Sequence, residues 1–154
     1  MSSKGIDFVV IGVGNPLRSD DGVGCFVARE LQELNLPDVH IKITQQLHVE
    51  FLEEISFEQT IIVIDASISG EEISFCKIDD NSEKRLTSSH HLGLPVFISL
   101  AQKIYKKDLD IRLCSIRGNC FEMGDVLSTK TAVYAQQAIK LIKAFISKKT
   151  HART

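Results

Sequence analysis

The sequence predicts an α/β fold in which helices cover both faces of a mostly parallel sheet. Residues 6–13 and 59–65 are short apolar segments of the kind found in strands that are buried on both faces. Segments with helical spacing of apolar residues alternate with strand-like segments, in the order β-α-β-α-β-β-α-β-α. This alternation is typical of parallel strands joined by helical crossovers.

The first half of the chain supplies the elements around the first two strands. Residues 21–34 are expected to form a helix, because they place apolar side chains on one face: Val23, Phe26, Val27, Leu31 and Leu34. Pro37 and Asp38 interrupt the chain after this helix. Residues 39–44 alternate like a strand, and the acidic, amphipathic residues 48–55 predict a short helix.

The second half continues the alternation. Residues 71–78 follow the preceding strand so closely that we expect them to form an antiparallel edge strand. After a polar loop at 79–89, the pattern predicts a helix at 92–105, a strand at 110–116 and a helix at 128–148. The polar terminal sequence KKTHART is expected to be frayed.

Composition limits the class of protein. The length of 154 residues suits one domain, 1–154, and the 18 basic and 20 acidic residues leave a net charge of −2. This balance argues against nucleic-acid binding, which requires a basic surface. There is no apolar run of about 18 residues and no secretory signal pattern, so neither a membrane span nor export is expected. The four cysteines form no CxxC pair, which favours free thiols in the cytoplasm.

The sequence GVGNPLRSDDGVG at residues 12–24 joins the first strand to the first helix. A dinucleotide-binding loop would have glycine where Leu17 stands, and Asp20 and Asp21 would repel a phosphate at the helix N-terminus. A nucleotide-binding module is therefore disfavoured. Capping of the helix is the simplest interpretation of the two acids, although one can cap while the other serves a different purpose.

Asp65 and His90 are the other candidates for a functional site. Each has a simpler interpretation, namely a strand-end acid satisfied by its turn and a polar surface histidine. In a doubly wound sheet, however, Asp21, Asp65 and His90 would converge at the carboxyl edge, where ligands bind. Two carboxylates and an imidazole suit a borderline divalent ion such as Zn, Mn, Fe or Ni. The sequence does not rank these metals.

Nucleophilic catalysis has less support in the sequence. Cys25 lies four residues after Asp21, so the two side chains could share a helix face. A small buried apolar role is the more common one for such a cysteine. There is no GxSxG motif, and Cys114 and Cys120 lack the spacing of a zinc site.

The motifs GVGNPLRSDDGVG, VIDAS and SHHLGL, in this order and spacing, resemble those of the hydrogenase maturation proteases. These endopeptidases remove a C-terminal extension from the large subunit of [NiFe] hydrogenases. The resemblance spans about residues 6–146. It implies a three-layer α/β/α fold with a small twisted sheet, and it implies that Asn15 shapes the first loop.

The same resemblance assigns the site. It implies that Asp21, Asp65 and His90 are both the catalytic and the metal-binding residues, and it favours His90 over His91 because one residue and then Leu-Gly follow it. The metal that the resemblance implies is nickel carried by the substrate, or another divalent ion in vitro. The implied partner is the large-subunit precursor, with neither nucleic acid nor membrane involved. A non-catalytic nickel-binding chaperone or checkpoint is the alternative that uses the same residues.

Two segments depart from the family pattern. Residues 44–47 (TQQL) stand where many members have Asp-Gly-Gly-Thr, and we expect them to contribute to the choice of hydrogenase. After the last strand, members often have proline where this chain has Arg117, Gly118 and Asn119. The conformation of that loop does not follow from the resemblance.

Overall fold

The computed structural model describes residues 7–54, 59–78, 93–105 and 110–152. The strands are β1 (Phe8–Val13), β2 (Val39–Thr44), β3 (Thr60–Ser67), β4 (Ile73–Lys77) and β5 (Asp110–Arg117). The helices are α1 (Val23–Glu33), α2 (Gly93–Tyr105) and α3 (Thr129–Ala152). Two short 3-10 helices, Ser19–Gly22 and Val49–Glu54, precede α1 and β3.

The five strands form one sheet in the order β2-β1-β3-β5-β4. β1, β2, β3 and β5 are parallel, whereas β4 pairs antiparallel with β5 at the edge. The predicted antiparallel edge strand is therefore confirmed. From β1 the chain first adds β2 on one side and then crosses to add β3 on the other. Ligand sites in such sheets lie outside the carboxyl ends of the strands where this order reverses, here between β1 and β3.

Apolar side chains from alternate strand positions form a core on each face of the sheet. α1 and α3 cover one face, where the buried set includes Val10, Val27, Ile62, Ile116 and Ala138. α2 and the 49–54 turn cover the other face, where it includes Ile11, Leu52, Val63, Phe97 and Leu113. Because β1 and β3 contribute to both cores, every one of their residues is buried. The predicted α/β fold, with three layers, is confirmed.

Several element boundaries differ from the predictions. The first helix starts at Val23 rather than residue 21, because the two acids lie in a 3-10 turn. Leu34, predicted for its buried face, is exposed. The helix expected at 48–55 is also of the 3-10 type, and β3 continues to Ser67, two residues past Asp65. The loop expected at 79–89 lies outside the described residues.

The predicted fraying of the C-terminal residues is wrong as far as Ala152, because α3 continues to that residue. The Lys149 ammonium lies 2.6 Å from the Asp110 carboxylate, which also accepts a hydrogen bond from Arg112. This cluster holds the last turns of α3 against the start of β5. None of the helices in the described part of the chain is both long and apolar enough to cross a bilayer.

Candidate active site

The candidate site lies at the carboxyl ends of β1 and β3. Pairing between these strands ends at Gly12 and Ile64, whereas β3 stays paired with β5 as far as Ser67 and Arg117. Asp65 is thus the first β3 residue beyond the ladder with β1. By the alternation of side chains along a strand, it shares the face of Val63, which is the face covered by α2.

The loop after β1 is shaped by Asn15. The preceding Gly14 has a φ of +144°, which L side chains rarely adopt. The backbone N–H of Asn15 donates to Asp21 Oδ2 at 2.9 Å, and its side-chain Oδ1 accepts from the N–H of Leu17 at 3.0 Å. Asn15 and Asp21 therefore close the loop across six residues.

Close packing of α1 on the sheet brings the acids of this loop to β3. A Cβ atom on Gly24 would lie 2.3 Å from the carbonyl oxygen of Ile64 and 2.7 Å from that of Val13. Only glycine permits this approach, and it places the 19–22 turn in contact with β3. Asp21 and Asp65 are 2% and 1% exposed, respectively, so both carboxyl groups lie almost wholly out of bulk water.

Both carboxylates act on the thiol of Cys25. Its thiol is buried and donates to the carbonyl oxygen of Gly14 at 3.3 Å. Burial is the main reason that the pKa of this thiol is raised to about 11; Arg29 lowers it, while Asp21 and Asp65 both raise it further. The two acids therefore lie within electrostatic reach of one atom. A thiol with this pKa is protonated at neutral pH, which agrees with a structural Cys25 rather than a nucleophile.

Asp20 has a role that the sequence did not reveal. Interpretation of the acid pair as caps of the following helix is wrong for Asp20, since α1 has Gly22 at its N-cap and no side-chain cap. Asp20 is fully buried and instead accepts hydrogen bonds from the far end of the chain. The donors are the N–H groups of Asn119, Cys120 and Ser128, at 2.7, 3.0 and 2.7 Å, and the hydroxyls of Ser128 and Thr131, at 2.7 and 2.9 Å.

These contacts make Asp20 the anchor between the first loop and the loop that follows β5. Burial alone would raise the pKa of Asp20, but the hydrogen bonds from Ser128, Asn119 and Thr131 outweigh it and lower the pKa. They also determine the conformation of the 117–119 segment, where the N–H of Gly118 donates to the carbonyl oxygen of Ser67 at 2.9 Å. No short motif signals such a contact, because its partners are about a hundred residues apart.

The third predicted ligand, His90, lies outside the described residues, as does His91. Within residues 7–54, 59–78, 93–105 and 110–152, no group of three His, Cys, Asp or Glu side chains is arranged to hold a metal ion. The described residues thus place two of the three predicted site residues, Asp21 and Asp65, at the carboxyl edge between β1 and β3. Two carboxylates offer oxygen donors to a divalent cation but are not a complete set of protein ligands.

Residues 44–47 lie next to the first loop. The carbonyl oxygen of Thr44 accepts the N–H of Gly14 at 3.0 Å, and the thiol of Cys25 lies 3.9 Å from it. The Thr44 hydroxyl donates to the carbonyl oxygen of Gln46 at 2.8 Å, which forms a tight turn at the carboxyl end of β2. The segment therefore borders the candidate site on the β2 side.

Comparison with known proteins gives one consistent result. No family model matches the chain. A protein of Methanocaldococcus jannaschii named "Putative hydrogenase maturation protease" is 27% identical over 153 residues, covering 92% of this chain and 97% of the relative.

Solved structures of low sequence identity share the fold. The [NiFe] hydrogenase maturation protease HybD from Thermococcus kodakarensis superimposes with a TM-score of 0.74 at 21% identity, covering 90% of this chain and 98% of that one. The hydrogenase maturating endopeptidase HybD from E. coli gives a TM-score of 0.78 at 18% identity, covering 93% of both chains. In sequence and in fold, therefore, this chain resembles the hydrogenase maturation proteases over nearly its whole length.

Proposed function

We propose that this protein is a cytoplasmic endopeptidase that removes the C-terminal extension of a [NiFe]-hydrogenase large-subunit precursor, and that nickel in the precursor is its recognition mark. The observation that carries the proposal is the burial of two acids, Asp21 and Asp65, at the carboxyl edge between β1 and β3, where both act on the thiol of Cys25. The similarity to the M. jannaschii relative and the shared fold support the same class of activity.

Recognition of nickel would use an incomplete set of ligands. Asp21 and Asp65 supply oxygen donors, and the resemblance adds the imidazole of His90. Such an open set is too small to sequester a free ion but can complete the coordination of an ion that substrate thiolates already hold. Cleavage would then depend on prior insertion of the metal into the substrate.

Peptide hydrolysis requires a nucleophile, and water is the candidate that fits this site. The Cys25 thiol is buried and has a pKa of about 11, so it is a poor nucleophile. A buried carboxylate can accept a proton from water as the hydroxyl group adds to the scissile carbonyl carbon, and it can pass that proton to the leaving amine. We assign this role to Asp21 or Asp65 and classify the enzyme as an aspartic-type, metal-recognising hydrolase.

The test is intact mass spectrometry of nickel-loaded and nickel-free precursor after incubation with the protein. We expect loss of one C-terminal peptide only from the nickel-loaded form. Asp21→Asn, Asp65→Asn and His90→Ala should abolish this loss, whereas His91→Ala, at the neighbouring position, should retain it. Thermal melts followed by circular dichroism would show that each variant is folded.

Each other outcome has a defined meaning. Cleavage of both forms would keep the protease but refute the recognition of nickel. Full cleavage by Asp21→Asn and by Asp65→Asn would refute the carboxylate-assisted mechanism. Binding of the nickel-loaded precursor without any cleavage would favour the non-catalytic checkpoint. Exchange of residues 44–47 between two such proteases without a change of substrate would refute their role in substrate choice.

A further inference from the structure

Two loops at the carboxyl edge of the sheet expose large apolar side chains to water. Leu17 is 57% exposed in the loop after β1, and Met123 and Val126 are 81% and 73% exposed in the loop after β5. Single exposed apolar residues are common on protein surfaces, but groups of them mark binding surfaces. We call these three residues the apolar edge patch.

Backbone hydrogen bonds join the two loops and bring the patch together. The N–H of Gly124 donates to the carbonyl oxygen of Leu17 at 2.9 Å, and the N–H of Ser19 donates to that of Gly124 at 2.7 Å. The Ser19 hydroxyl donates to the carbonyl oxygen of Glu122 at 2.8 Å. Leu17 is therefore held beside the chain segment that carries Met123 and Val126.

The patch is mounted on an ordered base. Asp20, three residues after Leu17, accepts the five hydrogen bonds from Asn119, Cys120, Ser128 and Thr131 described above. These donors enclose the 121–127 segment on both sides. A surface that is already ordered loses little conformational entropy on binding, which favours affinity. Methionine adds an adaptable apolar contact.

The position and charge of the patch indicate its occupant. Leu17 lies within the loop that Asn15 and Asp21 close, so the patch borders the candidate active site. Two exposed acids, Glu122 and Asp125, flank Met123 in the sequence and in the same loop. The complementary surface is an apolar recess with Lys or Arg side chains at its rim.

We propose that the apolar edge patch docks the folded body of the large-subunit precursor, through an apolar recess with a basic rim, while the C-terminal segment of that precursor enters the site beside Asp21. This inference rests on the proposed function. Under this proposal, residues outside the active site bind the folded partner. Binding of the partner can therefore be measured separately from recognition of nickel and from cleavage.

The experiment measures binding and cleavage separately. Equilibrium binding of nickel-loaded precursor to wild-type protein gives Kd, and single-turnover cleavage at saturating protein gives the rate of the chemical step. The test variant is Met123→Ser combined with Val126→Ser. The matched control is Val133→Ser, which removes a side chain that is 52% exposed on α3. We expect the test variant to raise Kd at least about tenfold, as for residues that anchor an interface, with the saturated cleavage rate unchanged. The control should leave both values unchanged.

A charge variant supplies an independent check. Glu122→Lys combined with Asp125→Lys should slow association at low ionic strength, and the difference from wild type should shrink as salt is added. Thermal melts of every variant should match wild type, since all five replaced side chains are exposed.

The outcomes separate the two proposals. A Kd within about twofold of wild type for the Met123 and Val126 variant would overturn the docking surface, whether or not cleavage occurs. Tight binding that weakens in this variant, with no cleavage by wild type, would support the docking surface and refute the protease. No binding by wild type would overturn both.

Discussion

Replacement of Asp20 by Asn should destabilise the whole fold, although the two side chains have nearly the same shape. The carboxylate accepts five hydrogen bonds: Oδ2 accepts four of them, and Oδ1 accepts the N–H of Ser128 at 2.7 Å. An amide has one acceptor oxygen. With that oxygen at the Oδ2 position, the new NH₂ group would face the N–H of Ser128, and both donors would be buried without an acceptor.

The expected cost follows from these contacts. Loss of one charge-assisted hydrogen bond costs about 1.5–3 kcal/mol, and the four others lose the contribution of the negative charge. We therefore expect the free energy of unfolding to fall by about 3–4 kcal/mol, which is a large part of the 5–15 kcal/mol that stabilises typical domains. In urea, with an m-value of about 2 kcal/mol/M, the midpoint should fall by about 1.5–2 M.

The assay is equilibrium urea unfolding followed by circular dichroism, with Asp125→Asn as the matched control. Asp125 is an exposed acid of the loop that Asp20 anchors, so its replacement should change the unfolding free energy by less than about 0.5 kcal/mol. Hydrogen exchange of the Asn119 and Cys120 amides should accelerate only in Asp20→Asn. A loss of less than about 1 kcal/mol for this variant would refute the anchoring role.

Three further predictions concern packing, thiol reactivity and pH. Gly24→Ala should destabilise the protein by about 3 kcal/mol or more, because the alanine Cβ would overlap backbone carbonyl groups. The control Gln32→Ala, on the exposed face of α1, should be neutral or stabilising in the same urea assay. Burial raises the pKa of Cys25 to about 11 and that of Cys114 to about 12. Both thiols should therefore resist iodoacetamide at pH 8 until urea unfolds the chain. Label on either residue of the native protein, detected by mass spectrometry, would contradict their burial. Burial raises the pKa of Asp110, but hydrogen bonds from Arg112 and Lys149 outweigh it, so the pKa in the folded protein lies below the ordinary value of 3.8. The ionised Asp110 carboxylate should stabilise the fold fully above about pH 5, and this contribution should be lost as pH falls through the lowered pKa. The difference in unfolding free energy between wild type and Asp110→Asn should therefore shrink between about pH 5 and 2.5. A constant difference would contradict this.

Much of the fold was predictable because its signals are local. Continuous apolar segments predict the strands that are buried on both faces, and the spacing of Val23, Val27 and Leu31 predicts the buried face of α1. The short connection to β4 predicts its antiparallel edge position. Local patterns do not predict the C-terminal end of α3, because the Lys149 contact that holds it involves Asp110 on a distant strand.

The candidate site, like the fold, is predictable only where its signals are local. The motif at 12–24 and the aspartate that follows an apolar strand are local features, and they indicate Asp21 and Asp65 as candidates. The roles of Asp21 and Asp65 are a proposal, and His90 lies outside the described residues.

The α/β class and the order of strands and helices follow from the amino-acid sequence alone, because propensity and apolar spacing act over a few residues. The resemblance to a family follows from three short motifs, which are also local. Folding in three dimensions places the buried Asp20 under the loop after β5, whereas its neighbour Asp21 accepts the N–H of Asn15. Folding also places Leu17 beside the segment carrying Met123 and Val126. The contacts of Asp20 and Leu17 join residues about a hundred positions apart, and the chain creates them only by folding around the sheet.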